Sequence, residues 1–198
     1  MNIISALNYK RAFESQTCDE ESIELYLSIL DTPKGDVVEI GSACGGTTIV
    51  LIAAAEEVNK TVYSVDPYPK EFENFALEYT SGIMNEFELK FKSNILDNEW
   101  GSIIQYKQRL KDCIEKIPDR LSTVFIDGCH ELSFVLEDIS LIETKMVKGG
   151  RIYLHDIFWD IGQISKVQGG SLYNVIQKYQ NAEIFKINNC PRMLRINI

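Results

Sequence analysis

From Val37 onward, short aliphatic runs alternate with longer stretches whose apolar positions recur every three or four residues. DVVEIG, TVYSVDP, IIQYKQ, STVFIDG and GRIYLHD are rich in β-branched residues and end on glycine or polar punctuation, the pattern of short buried strands. Between them, TTIVLIAAAEEV, the region from Phe72 to Lys90, LKDCIEKI and ELSFVLEDISLIETKM carry helical spacing. Such a series predicts an α/β fold: a parallel sheet with helices on both faces, right-handed crossovers, and a ligand crevice at the carboxyl ends of the strands.

The two ends depart from that scheme. Residues 1–35 are expected to form N-terminal helices, and in SIELYLSIL the apolar positions Ile23, Leu25, Leu27, Ile29 and Leu30 suit a helix packed on the sheet edge or over the site. After a helix at about Ser171 to Gln180, AEIFKINNCPRMLRINI forms two strand-like runs around an Asn-Asn-Cys-Pro turn. The last two strands should therefore make a hairpin, with one of them antiparallel to the rest. No linker, repeat or low-complexity tract interrupts the chain, and 198 residues at 45% hydrophobic content suit one buried core. A single domain over 1–198 is expected, with the α/β core at 36–198.

Charge narrows the partners. Twenty basic against 29 acidic residues give a net charge of −9, which opposes nonspecific attraction to nucleic acid or anionic membranes. The start, MNIISALNYKRAFES, lacks the basic and apolar regions of a signal peptide, and no apolar run approaches the ~18 residues of a membrane span. A cytoplasmic protein is expected, with a homo-oligomer left open. Five scattered cysteines without C-x-x-C spacing suggest neither a disulfide framework nor a zinc site.

The chemistry begins at VVEIGSACGGTT, Val37 to Thr48, where a strand runs into a glycine-rich loop and a helix. This is not the dinucleotide fingerprint G-x-G-x-x-G, because the glycines are Gly41, Gly45 and Gly46, and the P-loop lysine is missing. Taken singly, each glycine suits a tight turn, and Asp66 before Pro67 suits a turn-former. Taken in order, Glu39, Gly41, Gly45 and Thr47 match the acid-x-Gly-x-x-x-Gly-x-Ser/Thr pattern, with Asp66 at the end of the second strand. In these residues the chain resembles the class I S-adenosylmethionine-dependent methyltransferases.

That resemblance implies a Rossmann-like, mostly parallel seven-stranded sheet with an antiparallel C-terminal strand. It also implies an S-adenosylmethionine site formed by Glu39, Gly41, Ser42, Gly45, Thr47, Asp66 and Asp127, in which the glycines let the cofactor lie against the backbone and Asp66 accepts from the ribose hydroxyls. Adenine recognition would fall to Gln108 or Arg109, in YKQRLKD, where relatives often carry Gly-Asp or Ser.

A second constellation concerns the reaction. FIDGCH puts Asp127 at the tip of the fourth strand with His130 three residues on, and GGRIYLHDI puts His155 and Asp156 at the tip of the fifth. Adjacent parallel strands lie about 4.8 Å apart, so the two aspartates can reach one point, where a hard divalent cation would relieve their repulsion. These segments resemble the macrocin-type sugar O-methyltransferases over Val37 to Ile157 and, more distantly, the catechol type. By match, Asp127 and Asp156 would be metal ligands for Mg²⁺ or Mn²⁺, His130 the base, and Asp127 part of the catalytic set.

His155 stands where relatives usually carry a second acid. As a softer nitrogen ligand it would shift preference toward Mn²⁺ or Fe²⁺, turn away, or mark a weakened site. The implied activity is O-methylation of a small-molecule acceptor, sugar-like or bearing a vicinal diol. Two alternatives stay open: a metal-dependent hydroxylase-like member of the fold, and a noncatalytic binding module. Phe158 or Trp159 in FWDIG would offer an aromatic wall to a ring-shaped acceptor, or simply fill the core.

Overall fold

The computed structural model describes residues 1–68, 81–129, 131–156, 178–179, 181–187 and 190–198. Two N-terminal helices, α1 (Ile3–Ala12) and α2 (Asp19–Asp31), precede the alternating core. That core runs β1 (Asp36–Ile40), α3 (Gly46–Glu57), β2 (Val62–Val65), α4 (Ser81–Asn94), β3 (Ile103–Tyr106), α5 (Leu110–Cys113), β4 (Leu121–Ile126), α6 (Leu132–Glu143) and β5 (Met146–His155). The chain closes with β6 (Ala182–Ile187) and β7 (Cys190–Asn197).

The seven strands form one sheet in the order β3-β2-β1-β4-β5-β7-β6. β1 pairs in parallel with both β2 and β4, so the chain reverses its direction of travel across the sheet at that pair. A crevice outside the carboxyl ends of β1 and β4 is the consequence, and open α/β sheets bind ligands at such a point. β7 lies between β5 and β6 and runs antiparallel to both, which is the expected hairpin.

Alternation along the strands divides the core in two. Val38, Ile40, Val124, Ile126, Ile152 and Leu154 face the side covered by α5 and α6, while Val37, Val62, Phe125 and Tyr153 face α3 and the N-terminal helices. α3 is apolar nearly all round, and Gly46 through Ala55 are buried. A helix of that kind needs cover on its outer side too, and α1 and α2 supply it. Of the apolar positions in α2, Leu25 and Ile29 are buried, whereas Ile23 and Leu27 stay exposed.

α2 is fastened along β5 by its polar edge. Arg151 donates to the Ser28 hydroxyl at 3.3 Å and pairs with Asp31, and the Tyr153 hydroxyl donates to Glu24 Oε1 at 2.8 Å. His155 Nε2 lies 3.3 Å from Glu21 Oε1. Positions 21, 24 and 28 of one helix face thus meet residues 155, 153 and 151 of one strand face, which ties the start of α2 to the carboxyl end of β5.

Two elements differ from the sequence expectation. LKDCIEKI is a single α-turn followed by a 3₁₀ turn over Ile114–Lys116, because Pro118 pushes Ile117 into extended backbone. β5 begins at Met146, four residues before Gly150, and a register shift against β4 absorbs the double glycine. No helix among the described residues is long and apolar enough to cross a membrane. The expected helix start at Ser171, the Asn-Asn turn, His130, Phe158 and Trp159 lie outside the described residues.

Candidate active site

The described residues at 39–47, 66, 108, 109, 127, 155 and 156 lie on, or just beyond, strands β1 to β5 of the one sheet. The loop from Gly41 to Gly46 leaves β1 with Gly41 and Gly45 at φ near +88° and +87°. The loop is packed against protein on its closed side. A Cβ on Gly41 would lie 2.2 Å from the Asp127 carbonyl oxygen, and one on Gly45 would lie 2.5 Å from Ile95 Cγ1. The glycines therefore allow the loop to touch the end of β4 and the helix α4, a close approach of the chain to itself that the sequence alone did not reveal.

Asp66, just past β2, clasps this loop. Its Oδ2 accepts from the backbone N–H of Ser42 at 2.9 Å and of Ala43 at 3.0 Å, and its Oδ1 accepts from the Tyr68 N–H at 2.9 Å. Burial pushes its carboxyl up, and those backbone donors oppose the shift without cancelling it. The Tyr68 hydroxyl donates to the Ala43 carbonyl at 3.0 Å, Asn94 Nδ2 donates to the Cys44 carbonyl at 2.8 Å, and the Ser42 and Ser64 hydroxyls pair at 2.7 Å. Tyr68 and Asn94 were not anticipated, because both act from outside the glycine motif.

Glu39 is fully buried in β1. Its Oε2 accepts from the Thr48 hydroxyl at 2.5 Å, while Oε1 is buried and accepts no hydrogen bond among the described residues. Burial first, and then the charges of Asp127 and Asp66, push its pKa up to about 8, against the pull of the Thr48 and Ser42 hydroxyls. A raised acid favours the folded state below its unfolded pKa near 4.5, and that advantage is lost as pH climbs through about 8. Glu39→Gln, which holds the same shape without the proton to lose, should therefore gain in melting temperature relative to the parent between pH 5 and 8. Parallel thermal melts of the two proteins across that range check this, and a constant difference would count against the burial effect.

Thr47 belongs to a hydroxyl cluster. Its hydroxyl lies 3.2 Å from that of Ser15 and 3.1 Å from that of Thr17, in a cluster that pins the segment between α1 and α2 over the start of α3. Gln108 accepts from Lys116 at 3.1 Å, and Arg109 pairs with Glu137 at 2.9 Å while lying 4.2 Å over the Phe134 ring. Both stand just beyond β3 with partners of their own.

At the ends of β4 and β5 the acids converge. His155 Nδ1 is 3.0 Å from Asp127 Oδ1 and 3.3 Å from Asp156 Oδ1, and one ligand atom from each of the three residues lies within 4.8 Å of the others. Asp156 adopts left-handed backbone at φ +53°, a conformation that a non-glycine residue takes only at a cost. Burial alone would pull the histidine pKa down; Asp127, Asp156 and Glu21 together overcome it and push the ring up to about 12. Two oxygen donors and one nitrogen donor of this kind fit a divalent cation of intermediate hardness.

The decisive comparison is with protein families. A family model described as a methyltransferase domain matches residues 38–157, from β1 to just past β5. The chain belongs to this family. It is an S-adenosylmethionine-dependent methyltransferase with the class I fold. Among solved structures, a Corynebacterium glutamicum protein superposes with a TM-score of 0.71 at 13% identity, covering 98% of this chain and 89% of that one. The O-methyltransferase NovP gives 0.65 at 15% identity over 90% and 79%. The O-methyltransferase TomG of Streptomyces achromogenes, involved in tomaymycin synthesis and solved with S-adenosylmethionine, gives 0.65 at 11% over 98% and 88%. No curated protein matches the chain. The methyltransferase thus shares its fold with proteins of 11–15% identity, so its own residues must carry any finer reading.

Proposed function

We propose that this methyltransferase transfers a methyl group to a hydroxyl oxygen of a small molecule, a sugar-like or other vicinal diol, with a divalent cation held by Asp127, His155 and Asp156. The observation that carries the reading is the convergence of those three side chains at the ends of β4 and β5, next to the Gly41 loop that meets the Asp127 backbone. Such a donor set suits Mg²⁺ or Mn²⁺.

S-adenosylmethionine supplies a sulfonium-activated methyl carbon, and a bound cation would lower the pKa of an acceptor hydroxyl. The protein's task is alignment and proton removal. The Gly41–Gly46 loop, locked by Asp66, Tyr68 and Asn94, gives the cofactor a fixed floor. Glu39 Oε1, which accepts no hydrogen bond among the described residues, and the remaining acceptor capacity of Asp66 offer acceptor positions to its ammonium and ribose groups. Ser42 and Gly45 contribute backbone to the same floor. We assign adenine contacts to Gln108 and Arg109, and leave Thr47 in its hydroxyl cluster. His130, three residues beyond Asp127, takes the acceptor proton.

Asp66→Ala should weaken S-adenosylmethionine binding by about 1.5–3 kcal/mol, the scale for removing a charged hydrogen-bond acceptor. Isothermal titration calorimetry measures it, and unchanged affinity would remove Asp66 from the cofactor site. The reaction itself is tested by incubating the protein with methyl-labelled S-adenosylmethionine and a panel of sugar glycosides and catechols. Label recovered as a methyl ether supports the reading; label recovered only on nitrogen, sulfur or a macromolecule overturns it.

A further inference from the structure

We infer that Glu21, at the start of α2, is a positioning residue for the candidate metal site: it fixes the ring of His155 so that Nδ1 is the atom offered to a cation between Asp127 and Asp156. The inference rests on the metal reading above and adds to it a residue from outside the match to the methyltransferase domain, which begins at residue 38.

Glu21 and His155 are both almost completely buried, each with a side chain 1% exposed. An acid in that position needs a reason. One oxygen, Oε2, accepts from the Cys18 backbone N–H at 2.7 Å and caps the first turn of α2. The other, Oε1, faces His155 Nε2 at 3.3 Å, within ion-pair range though not aligned as a hydrogen bond, and Nε2 makes no hydrogen bond among the described residues. On the opposite edge of the same ring, Nδ1 faces Asp127 and Asp156. The Phe125 ring stands edge-on to the imidazole, 5.8 Å between centroids, and limits its tilt.

A ligating histidine has one ring nitrogen for the metal and one N–H for a partner behind it, and the partner decides which nitrogen is which. Among the described residues, the carboxylate behind the ring at Nε2 is that of Glu21, from α2. The ladder from Glu21 to His155, Glu24 to Tyr153 and Ser28 to Arg151 holds that carboxylate in register with the strand, so the N-terminal helix acts on the site through a fixed contact.

Glu21→Gln is the informative substitution, because the Cys18 N–H selects the amide's orientation. The amide oxygen must stay on Cys18 to keep the helix cap, which turns the NH₂ group toward Nε2. An N–H donor facing Nε2 makes that nitrogen the acceptor and places the ring proton on Nδ1, where it blocks coordination. Mn²⁺ binding to the full chain, followed by electron paramagnetic resonance, should be 10–100-fold weaker in the variant, the usual effect of removing a partner behind a metal ligand. S-adenosylmethionine affinity and melting temperature should remain near the parent's.

If the variant binds Mn²⁺ within about threefold of the parent, Glu21 does not position the ligand and the inference fails while the metal reading stands. If the parent itself does not bind Mn²⁺, both fail together. Should the variant not fold, ¹⁵N NMR of the histidine rings in the Mg²⁺-loaded parent decides. A proton on Nε2 and none on Nδ1 upholds the assignment, and the reverse tautomer overturns it.

Discussion

Exhaustive chelation should abolish methyl transfer by this protein, and Mn²⁺ should restore it at least as well as Mg²⁺. The expectation follows from placing two carboxylates and an imidazole within 4.8 Å of one another at the ends of adjacent strands. A cation held there would stabilise charge on the acceptor oxygen by several kcal/mol, and about 4 kcal/mol corresponds to roughly 10³ in rate. Asp127→Ala and Asp156→Ala should each lose at least about that factor. Cofactor affinity should survive, because the contact that fixes the glycine loop uses the Asp127 backbone and not its side chain. Turnover that ignores the chelator would exclude the metal. A strict preference for Mg²⁺ would instead remove His155 from the ligand set, since a nitrogen donor favours the softer ion.

How much of this was legible beforehand depends on the range of the interaction. The five parallel strands and the C-terminal hairpin follow from aliphatic runs bounded by turn residues, which is local information. The antiparallel placement of β7 between β5 and β6 follows once a hairpin must close an otherwise parallel sheet. Asp127, His155 and Asp156 could be grouped because strand ends in a parallel sheet meet at one edge.

What the sequence hid was mostly contact between distant segments. Thr47 fits the cofactor motif by spacing, yet its hydroxyl is taken by Ser15 and Thr17, some thirty residues earlier in the chain. Asp66 fits a ribose acceptor, and its two backbone hydrogen bonds to the loop, from Ser42 and Ala43, cannot be seen without knowing how the loop folds. Glu21 left a faint local signal in CDEES, an acid three residues after a helix start. Cysteine is an unusual residue at the start of a capping box, which obscured it, and the contact with His155 spans most of the chain. The run GRIYLHD predicts a strand from Gly150, whereas β5 starts at Met146 and carries Gly149 and Gly150 through a register shift against β4.

Replacing the second histidine, His130, should cost the chemical step about 10²–10⁴ in rate, the usual contribution of a positioned acid or base. The residue follows Asp127 by three positions in the sequence, before α6 begins at Leu132, and on the proposed reading Asp127, His155 and Asp156 would hold the cation and leave His130 for the proton. The two histidines then divide the work. His155 is buried, flanked by acids and held charged in the absence of a cation, so its ring is unsuited to collecting a proton near neutral pH. On the proposed reading the base role therefore falls to His130. Only neutral imidazole accepts a proton, so the single-turnover rate of the parent should rise with pH through the His130 ionisation and then level off. In His130→Ala that limb should disappear, while S-adenosylmethionine and Mn²⁺ affinities stay near the parent values. Rapid-quench measurements across pH provide the test. A variant that keeps near-parental chemistry would make His130 a helix-start residue only. One that loses metal together with activity would make it a ligand, and the proton would then have to leave through a carboxylate of the cluster.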